Sequence, residues 1–366
     1  MEERIHPVRS LQAPPPAAGH ARVGWVDVAK GLCIILVVMM HSTLGLEQAV
    51  GREGWMHAVV EFAQPFRIPA FFVTAGLFLQ RTIDQPWSRY LDRKVVHFVY
   101  FYLIWALIQC VVKFAPGGGF DDALGEFLFA LIEPYGTLWF IYLLPFFFVT
   151  TKLVRRAPFS VVFLGAVFLN LAPHNTGWTA IDEFMNRYVF FLVGYAFAPA
   201  LFALADASRR APDIAAPIVA AIFALIAAIV SSDHWTSGQA LALPHAPLVA
   251  LAMGAAGACA LIATASMLEP AWIGRAIAAC GRRSLAIYLA FFLPMAAMRA
   301  ALVKSGLSPD LIDVGTASAL ITIAAATAPL LLHRLAMRGP FAWLFERPRW
   351  ARGRSAKPAR HLMPAE

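Results

Sequence analysis

Three ionisable side chains lie in one apolar stretch near the start of the chain, the segment WVDVAKGLCIILVVMMHSTLG. Asp27 and Lys30 are three residues apart, so in a helix they are neighbours and their charges suit an ion pair. Lys30 and His41 are eleven residues apart, which places both on one helix face, about 16 Å apart along the axis. Such a polar stripe can meet charged groups and exchange protons.

The cost of placing charge inside a membrane favours a functional explanation for this stripe. A Lys or Asp at the centre of a membrane span costs about 2.5–3.5 kcal/mol on insertion scales. With Trp25 at the cytoplasmic interface, His41 lies about 24 Å along the helix, close to the outer surface, whereas Lys30 stays in the inner leaflet. The alternative is that Lys30 extends to the interface and that His41 lies among the headgroups.

A second apolar stretch, AQPFRIPAFFVTAGLFL, places Arg67 between Pro65 and Pro69. Prolines one turn apart leave backbone carbonyls unpaired, and inside a bilayer these need a neighbouring polar group or a watery cavity. We therefore expect a cavity beside Arg67. For the small residues from Thr74 to Gly76, close packing of two helices is an equally good explanation.

The composition identifies the elements that carry these residues as membrane spans. Of the 366 residues, 60% are hydrophobic and 14% are charged, whereas soluble domains have about 45–50% and about 25%. The mean hydropathy is +0.65, and the apolar stretches have about the ~20 residues that cross a bilayer. They lie near residues 24–45, 58–79, 95–114, 136–153, 158–173, 184–203, 213–231, 245–267, 284–303 and 309–335.

The distribution of Lys and Arg predicts the orientation of these spans. Most of the 30 basic residues fall in the two terminal segments and in every second connection, which marks those segments as cytoplasmic. We therefore predict an all-α, polytopic integral membrane protein with about ten transmembrane helices and both termini in the cytoplasm. Its parts are a flexible N-terminal tail (1–22), a transmembrane domain (23–336) and a basic C-terminal tail (337–366).

Other classes of protein fit the sequence poorly. The formal net charge is +8, but the basic residues form short clusters between spans, which argues against a nucleic-acid partner. The N-terminal segment lacks the early apolar core of a cleavable signal peptide, so the first span is expected to act as the anchor. No metal is expected, because the cysteines are far apart and lack metal-ligand spacing. They are Cys33, Cys110, Cys259 and Cys280.

Four stretches, in order along the chain, resemble the membrane acyltransferase-3 family, in particular its bacterial sugar O-acetyltransferases. The first resembles the family's pattern of an Asp (Asp27), a basic residue followed by Gly (Lys30 and Gly31), and a His eleven positions after the basic residue (His41). The other three are PFRIPAFFVTAGLFL, TLWFIYLLPFF and GRRSLAIYLAFF. Lys30 stands where many members have Arg, and Arg67 stands where a His is often found. Phenylalanines, Phe291 and Phe292, occupy a stretch where many members carry a further His.

The resemblance implies transfer of an acyl group, most often acetyl, from cytoplasmic acyl-coenzyme A to a hydroxyl of a cell-surface glycan or its lipid-linked precursor. Asp27 and Lys30 would then bind the acyl-coenzyme A. His41 would act as general base, because an imidazole takes up and returns a proton near neutral pH. Arg67 is a candidate donor to the oxyanion of the transition state. The implied partners are the lipid bilayer, acyl-coenzyme A and the sugar acceptor, at the bacterial inner membrane.

A carboxylate that orients the His41 ring is also expected in such a site. Asp27 is fourteen residues from His41, about 21 Å along a helix, and is too distant. We slightly favour Glu61 over Asp182 and Glu183, because Glu61 shares the second span with Arg67. An interfacial Glu61 that pairs with Arg67 or with water is an equally good explanation.

Two other functions are compatible with the same residues. Charges within spans, a span with two prolines and about ten helices would also suit a transporter or flippase of a glycan or lipid without acyl-transfer chemistry. A membrane scaffold without chemistry is the third possibility. The stretches lack the matching pair of interrupted helices that marks transporters with inverted repeats, which mildly disfavours a carrier.

Overall fold

The computed structural model describes residues 23–235, 246–304 and 312–351. Within these ranges the ordered elements are helices and no strand occurs, which confirms the predicted all-α class. The predicted N-terminal tail and the last fifteen residues of the predicted C-terminal tail lie outside the described residues.

The described residues form fourteen α-helices, joined by short connections and a few 3₁₀ turns. A five-residue π-helical turn, Asp92–Val96, precedes α4. The α-helices are α1 (Gly24–Val50), α2 (Met56–Gly76), α3 (Trp87–Leu91), α4 (His97–Phe129), α5 (Trp139–Val154), α6 (Phe159–Leu171), α7 (Thr179–Ala196), α8 (Ala198–Arg210), α9 (Pro212–Trp235), α10 (Pro247–Leu268), α11 (Trp272–Arg282), α12 (Ser284–Ala290), α13 (Phe292–Lys304) and α14 (Val314–Arg338).

The described helices include seven that are long and apolar enough to cross a membrane, and up to nine if each of two bent pairs forms one span. Each of the ten predicted stretches corresponds to a helix or a bent pair. The stretch predicted at 158–173 forms α6, which has 13 residues and is shorter than the other spans. The protein is therefore a multi-span membrane protein with seven to nine candidate spans in its described part.

The predicted span at 184–203 is a bent pair, because α7 and α8 meet at an angle of 73°. Pro199 explains the break, since its ring has no N–H and would clash with the carbonyl of Tyr195 in a continuous helix. That carbonyl instead accepts a hydrogen bond of 2.8 Å from the side chain of Gln80. The predicted span at 284–303 is likewise bent, by 46°, between α12 and α13.

Glycines allow α1 to lie directly against α11. A Cβ on Gly31 would lie 2.2 Å from the carbonyl oxygen of Ile277, and a Cβ on Gly281 would lie 1.7 Å from that of Asp27. Both distances are too short for any side chain, so the two backbones touch. Small residues are the usual means of helix association in membranes, where apolar burial alone drives little packing. The glycines of the first and last resembled stretches are therefore packing residues.

The same kind of contact joins α2 to α7. A Cβ on Gly76 would lie 2.4 Å from the carbonyl oxygen of Phe191, and a Cβ on Gly194 would lie 2.0 Å from that of Val73. The close-packing explanation for Gly76 is therefore correct. Since α2 also packs against α1, these contacts hold the first two helices in one register at the centre of the bundle.

The two ends of the bundle are named here after charged residues of α1. We call the end where α1 begins and α2 ends the Lys30 end, and the opposite end, where α1 ends and α2 begins, the Glu47 end. The helix α14 runs from the Glu47 end, where Trp55 donates to the Asp313 carboxylate, to the Lys30 end. The Asp313 carboxylate caps this helix. Its pKa is lowered mainly by the hydrogen bond from the Thr316 side chain, and further by those from the backbone N–H groups of Thr316 and Gly315.

A buried lysine fixes the connection between α2 and α4 at the Lys30 end. The Lys152 side chain is 1% exposed, and its ammonium donates to the carbonyls of Ile83 and Gln85. It also lies 4.5 Å from the ring centroid of Tyr90 and 5.0 Å from that of Trp87. Carbonyl oxygens and aromatic faces thus replace the water that the charge has lost.

We expect Gly281→Ala to destabilise the protein, because the new methyl group would force α1 and α11 apart. Overpacking of this kind costs about 1–3 kcal/mol. The matched control is Gly125→Ala, since a Cβ at this helical position meets nothing within 4 Å. Thermal unfolding of the purified protein in detergent measures both. If Gly281→Ala unfolds at the same temperature as the parent and Gly125→Ala, the close contact between α1 and α11 is wrong.

Replacement of Lys152 by Met should loosen the connection between α2 and α4. The change keeps the length of the side chain but leaves two carbonyls without their donor, at about 1–3 kcal/mol for each buried group. Arg156→Met is the control, because Arg156 is exposed in the same segment. Proteolysis of residues 79–91 should accelerate in Lys152→Met alone. Equal cleavage rates in the two variants would contradict the anchoring role of Lys152.

Candidate functional site

His41 lies within the long first helix and is partly covered by its neighbours. The helix α1 has 27 residues and continues to Val50, so His41 lies about 13 Å along the axis from the Glu47 end. The helix extends five residues beyond the predicted span, and the position of His41 close to the outer membrane surface stays a prediction. The ring is half-buried, and its centroid lies 5.4 Å from that of Phe291, where α12 meets α13.

Arg67 is a buried charged group close to His41. Its side chain is 9% exposed, and its positive charge acts on the His41 ring across the α1–α2 interface. One guanidinium nitrogen, Nη1, donates to the carbonyl of Val60 at 3.3 Å. The Nε atom is buried and has no hydrogen-bond partner. Arg67 and His41 are therefore neighbours across the interface of α1 and α2, and their shared role in a site stays a prediction.

The prolines on either side of Arg67 do not break the second span. Pro65 and Pro69 both lie inside α2, which continues from Met56 to Gly76. The helix tolerates them with neighbouring helices packed against much of its surface, and Pro69 itself is buried. The effect of the prolines is thus local, and the position of Arg67 is set by a continuous helix.

The structure pairs Glu61 with His57, not with His41. Glu61 Oε1 lies 3.6 Å from His57 Nε2, and among the described residues no carboxylate forms a hydrogen bond with the His41 ring. The orienting role of Glu61 towards His41 thus stays a prediction, and the contact that the structure describes for Glu61 is the one with His57. Glu61 and His57 are one turn apart on α2, and this local contact competes with any contact across to α1.

A second carboxylate, Glu47, completes this cluster at the Glu47 end. It is 7% exposed, accepts from the backbone N–H of Gly54 at 3.0 Å and lies 2.7 Å from His57 Nδ1. These contacts close the loop between α1 and α2. We call Glu47, Glu53, His57 and Glu61 the loop cluster, since each of them bears on this connection.

Two further arginines lie near His41 and Arg67. Arg187 on α7 is close enough for its charge to act on Arg67, and it forms an ion pair of 2.8 Å with Glu183. Arg299 on α13 packs against α1, because its Nη1 atom lies 2.5 Å from the position that a Cβ on Gly45 would occupy. Gly45 is one turn from His41, so Arg299 lies one turn nearer the Glu47 end.

At the other end of α1, Lys30 belongs to a group of cations around an aromatic ring. The Lys30 ammonium lies 5.8 Å from the ring centroid of Phe78, and the guanidinium of Arg81 lies 5.1 Å from the same centroid. Lys94 is also close enough to interact electrostatically with Lys30. We call Lys30, Arg81 and Lys94 the basic cluster.

Asp27 does not form the predicted ion pair with Lys30. Both residues lie in the described part of α1, and no salt bridge joins them. The backbone carbonyl of Asp27 is the one against which Gly281 packs, and its side chain is half-buried. The spacing of three residues would allow an ion pair between Asp27 and Lys30. The prediction of this pair is wrong, because the Lys30 side chain extends towards Phe78.

Other residues of the resembled stretches form the frame around the site. The hydroxyl of Tyr288 donates to the carbonyl of Thr137 and accepts from the backbone N–H of Phe140 at 3.2 Å. It therefore joins the late stretch to the start of α5. Trp139 packs against Phe72 of the second span at a centroid distance of 6.1 Å.

The sequence predicted His41 and Arg67 as site residues, but it predicted neither the loop cluster nor the packing of Arg299 against α1. The signal for Arg299 was its place inside an apolar stretch, where charge is costly. The contact of His57 with Glu47 had no signal, because residues ten apart across a turn meet only after α1 and α2 have packed. In the described residues, no group of three or more His, Cys, Asp or Glu side chains is arranged to hold a metal ion.

Comparison with known proteins gives the family of the chain. The acyltransferase-3 family model, described as an acyltransferase domain, matches residues 23–333. A curated relative, the inner membrane protein YcfT of Escherichia coli (strain K12), is 26% identical over 203 residues, and the match covers 46% of this chain and 55% of the relative. The chain thus spans about half the length of this relative. No solved structure matches the chain.

The family match extends over the helices that carry both ends of the polar stripe. It includes His41 and Arg67 on α1 and α2, the basic cluster, and the packing glycines that hold α1 in place. The chain, a multi-span membrane protein, belongs to the acyltransferase-3 family.

Proposed function

We propose that this protein is a membrane-bound O-acyltransferase. It transfers an acyl group, for which acetyl is the first candidate, from cytoplasmic acyl-coenzyme A to a hydroxyl of a cell-surface glycan or its lipid-linked precursor. The observation that carries the proposal is the pair formed by His41 and Arg67 inside the bundle. A proton acceptor beside a buried cation is the arrangement that acyl transfer to a hydroxyl requires.

The basic cluster is proposed to receive the phosphates of the donor. Lys30 and Arg81 place two positive charges at the ring of Phe78, and Lys94 adds a third that interacts with Lys30. A coenzyme A phosphate would be attracted by all three. Lys and Arg are the side chains that pair with phosphate oxygens. Asp27, half-buried at the same end of α1, is proposed to contact the same part of the donor.

Binding of the donor has to open a path along α1. Lys30 and His41 are both half-buried, whereas Ile34 and Val38 on the helix face between them are buried. The two groups are about 16 Å apart along the axis. A thin pantetheine arm reaching from the basic cluster to His41 therefore displaces neighbouring side chains, and the acyl thioester then lies beside Arg67.

The transfer itself uses His41 as general base. A nitrogen of the His41 ring takes the proton of the acceptor hydroxyl as its oxygen bonds to the thioester carbonyl carbon, and the carbonyl becomes an oxyanion. Arg67 stabilises this negative charge through its guanidinium. The C–S bond then breaks, the imidazolium returns the proton to the sulfur, and an ester and free coenzyme A leave.

The proposed orientation places the Lys30 end in the cytoplasm. Apart from Lys30 itself, the basic residues of this end include Arg81, Lys94, Lys152 and Arg347, and positive charge is retained on the cytoplasmic side of membranes. The proposed location is the bacterial cytoplasmic (inner) membrane, as the name of the Escherichia coli relative suggests. Acceptor and donor would then reach His41 from opposite sides.

Substitution of His41 by Ala is expected to reduce acyl transfer by about 10²–10⁴-fold, the usual contribution of a general base. The measurement is transfer of labelled acetyl from acetyl-coenzyme A to glycan or lipid in purified membranes. His174→Ala serves as the control, because this histidine is also half-buried but bonds to the carbonyl of Ala172. Undiminished transfer by His41→Ala would exclude His41 as the base.

The substitution Lys30→Gln should weaken the use of acetyl-coenzyme A but not of S-acetylpantetheine, which lacks the nucleotide phosphates. We expect the KM for acetyl-coenzyme A to rise about tenfold, which corresponds to about 1.4 kcal/mol. Arg210→Gln is the control, since Arg210 is 78% exposed at the same end. An equal loss with both donors would show that Lys30 acts on the fold and not on the phosphates.

A further inference from the structure

The positive charge around His41 exceeds what a single oxyanion needs. Arg67 on α2 is close enough for its charge to act on His41, and Arg299 on α13 lies against Gly45, one turn from His41. Arg187 on α7 is close enough for its charge to act on Arg67. Arg67 is nine-tenths buried, and its Nε atom has no hydrogen-bond partner. A cation that has lost water without gaining an anion is strongly destabilised, so Arg67 requires negative charge beside it in the working state of the site.

The nearby carboxylates do not supply that charge. Glu183 pairs with Arg187, at 2.8 Å. Glu47 is held by the Gly54 N–H and His57 at the end of α1. Among the described residues, no salt bridge joins either Arg67 or Arg299 to an acidic side chain. The described part of the chain thus leaves Arg67 and Arg299 without a carboxylate partner, and an anionic ligand can supply the missing negative charge.

The position of Arg299 identifies which ligand this is. Arg299 lies one turn from His41 towards the Glu47 end, whereas the basic cluster that suits the donor lies about 16 Å from His41 in the opposite direction. A donor whose phosphates occupy the basic cluster leaves the side of His41 towards Arg299 for the acceptor. A guanidinium has five N–H donors, so Arg67 can contact both the reacting carbonyl and an acceptor.

We propose that the acceptor is anionic and is held by Arg299 and Arg67 through a phosphate or carboxylate, with Arg187 adding to the positive field. This subsite places the acceptor hydroxyl against His41. It rests on the proposed function and adds the chemical class of the acceptor. The anionic group has two possible sources, the diphosphate of a lipid-linked sugar or the carboxylate of an acidic sugar.

The test is binding to the full chain in nanodiscs of phosphatidylcholine, without an acyl donor. Each anionic probe has a neutral counterpart: farnesyl diphosphate is compared with farnesol, and glucuronate with glucose. We expect at least one anionic probe to bind, with a Kd about tenfold or more below that of its counterpart. Arg299→Gln and Arg67→Gln should each raise that Kd about tenfold, as expected for loss of a charge-assisted contact.

Control variants separate this inference from the proposed function. Arg52→Gln removes an exposed arginine at the same end and should leave the Kd unchanged, and His41→Ala should still bind the anion while losing acyl transfer. Binding of farnesyl diphosphate alone indicates a lipid-linked acceptor, and binding of glucuronate alone indicates an acidic sugar.

Two results overturn the anionic subsite. One is that neither anion binds more tightly than its neutral counterpart. The other is that Arg299→Gln and Arg67→Gln bind the anion as tightly as Arg52→Gln does. In either case acyl transfer that still depends on His41 leaves the proposed function intact, whereas anion binding without transfer would contradict the proposed function alone.

Discussion

A buried arginine beside a histidine is the interaction on which the rest of the structure depends. Arg67 lies almost without solvent contact, and a charge in that position is tolerated only where several helices surround it. Its neighbours are therefore packed as closely as backbones allow. Gly31 and Gly281 bring α1 against α11, and Gly76 and Gly194 bring α2 against α7. These contacts fix the register in which Arg67 faces His41.

The helix α1 joins two regions with different tasks. One end carries Lys30, which shares the ring of Phe78 with Arg81, and the other end closes onto α2 through Glu47 and His57. His41 lies between them, half-buried against Phe291. A single continuous helix is suited to this arrangement, because it holds Lys30 and His41, the proposed phosphate-binding and proton-transferring groups, at a constant separation.

The contacts that the sequence did not predict share one physical cause. The spacing of Asp27 and Lys30, and the shared helix of Glu61 and Arg67, describe which contacts a single helix permits. Which contact forms depends on what the neighbouring helices offer. The Lys30 ammonium lies near the ring of Phe78, and Glu61 lies beside His57. The helix α1 also continues beyond the predicted stretch, since no residue ends it before Gly51 adopts a positive φ of 69°.

The sequence by itself determined the class of the protein, because hydropathy and the period of a helix are local properties. It determined that Lys30 and His41 share one face of α1, that Arg67 lies within a span, and that the stretches resemble the acyltransferase-3 family. Only the tertiary structure decided that Arg67 and Arg299 meet the His41 region. It also decided where spans bend and which carboxylates are already paired, since these contacts join residues that are distant along the chain and form only when helices pack.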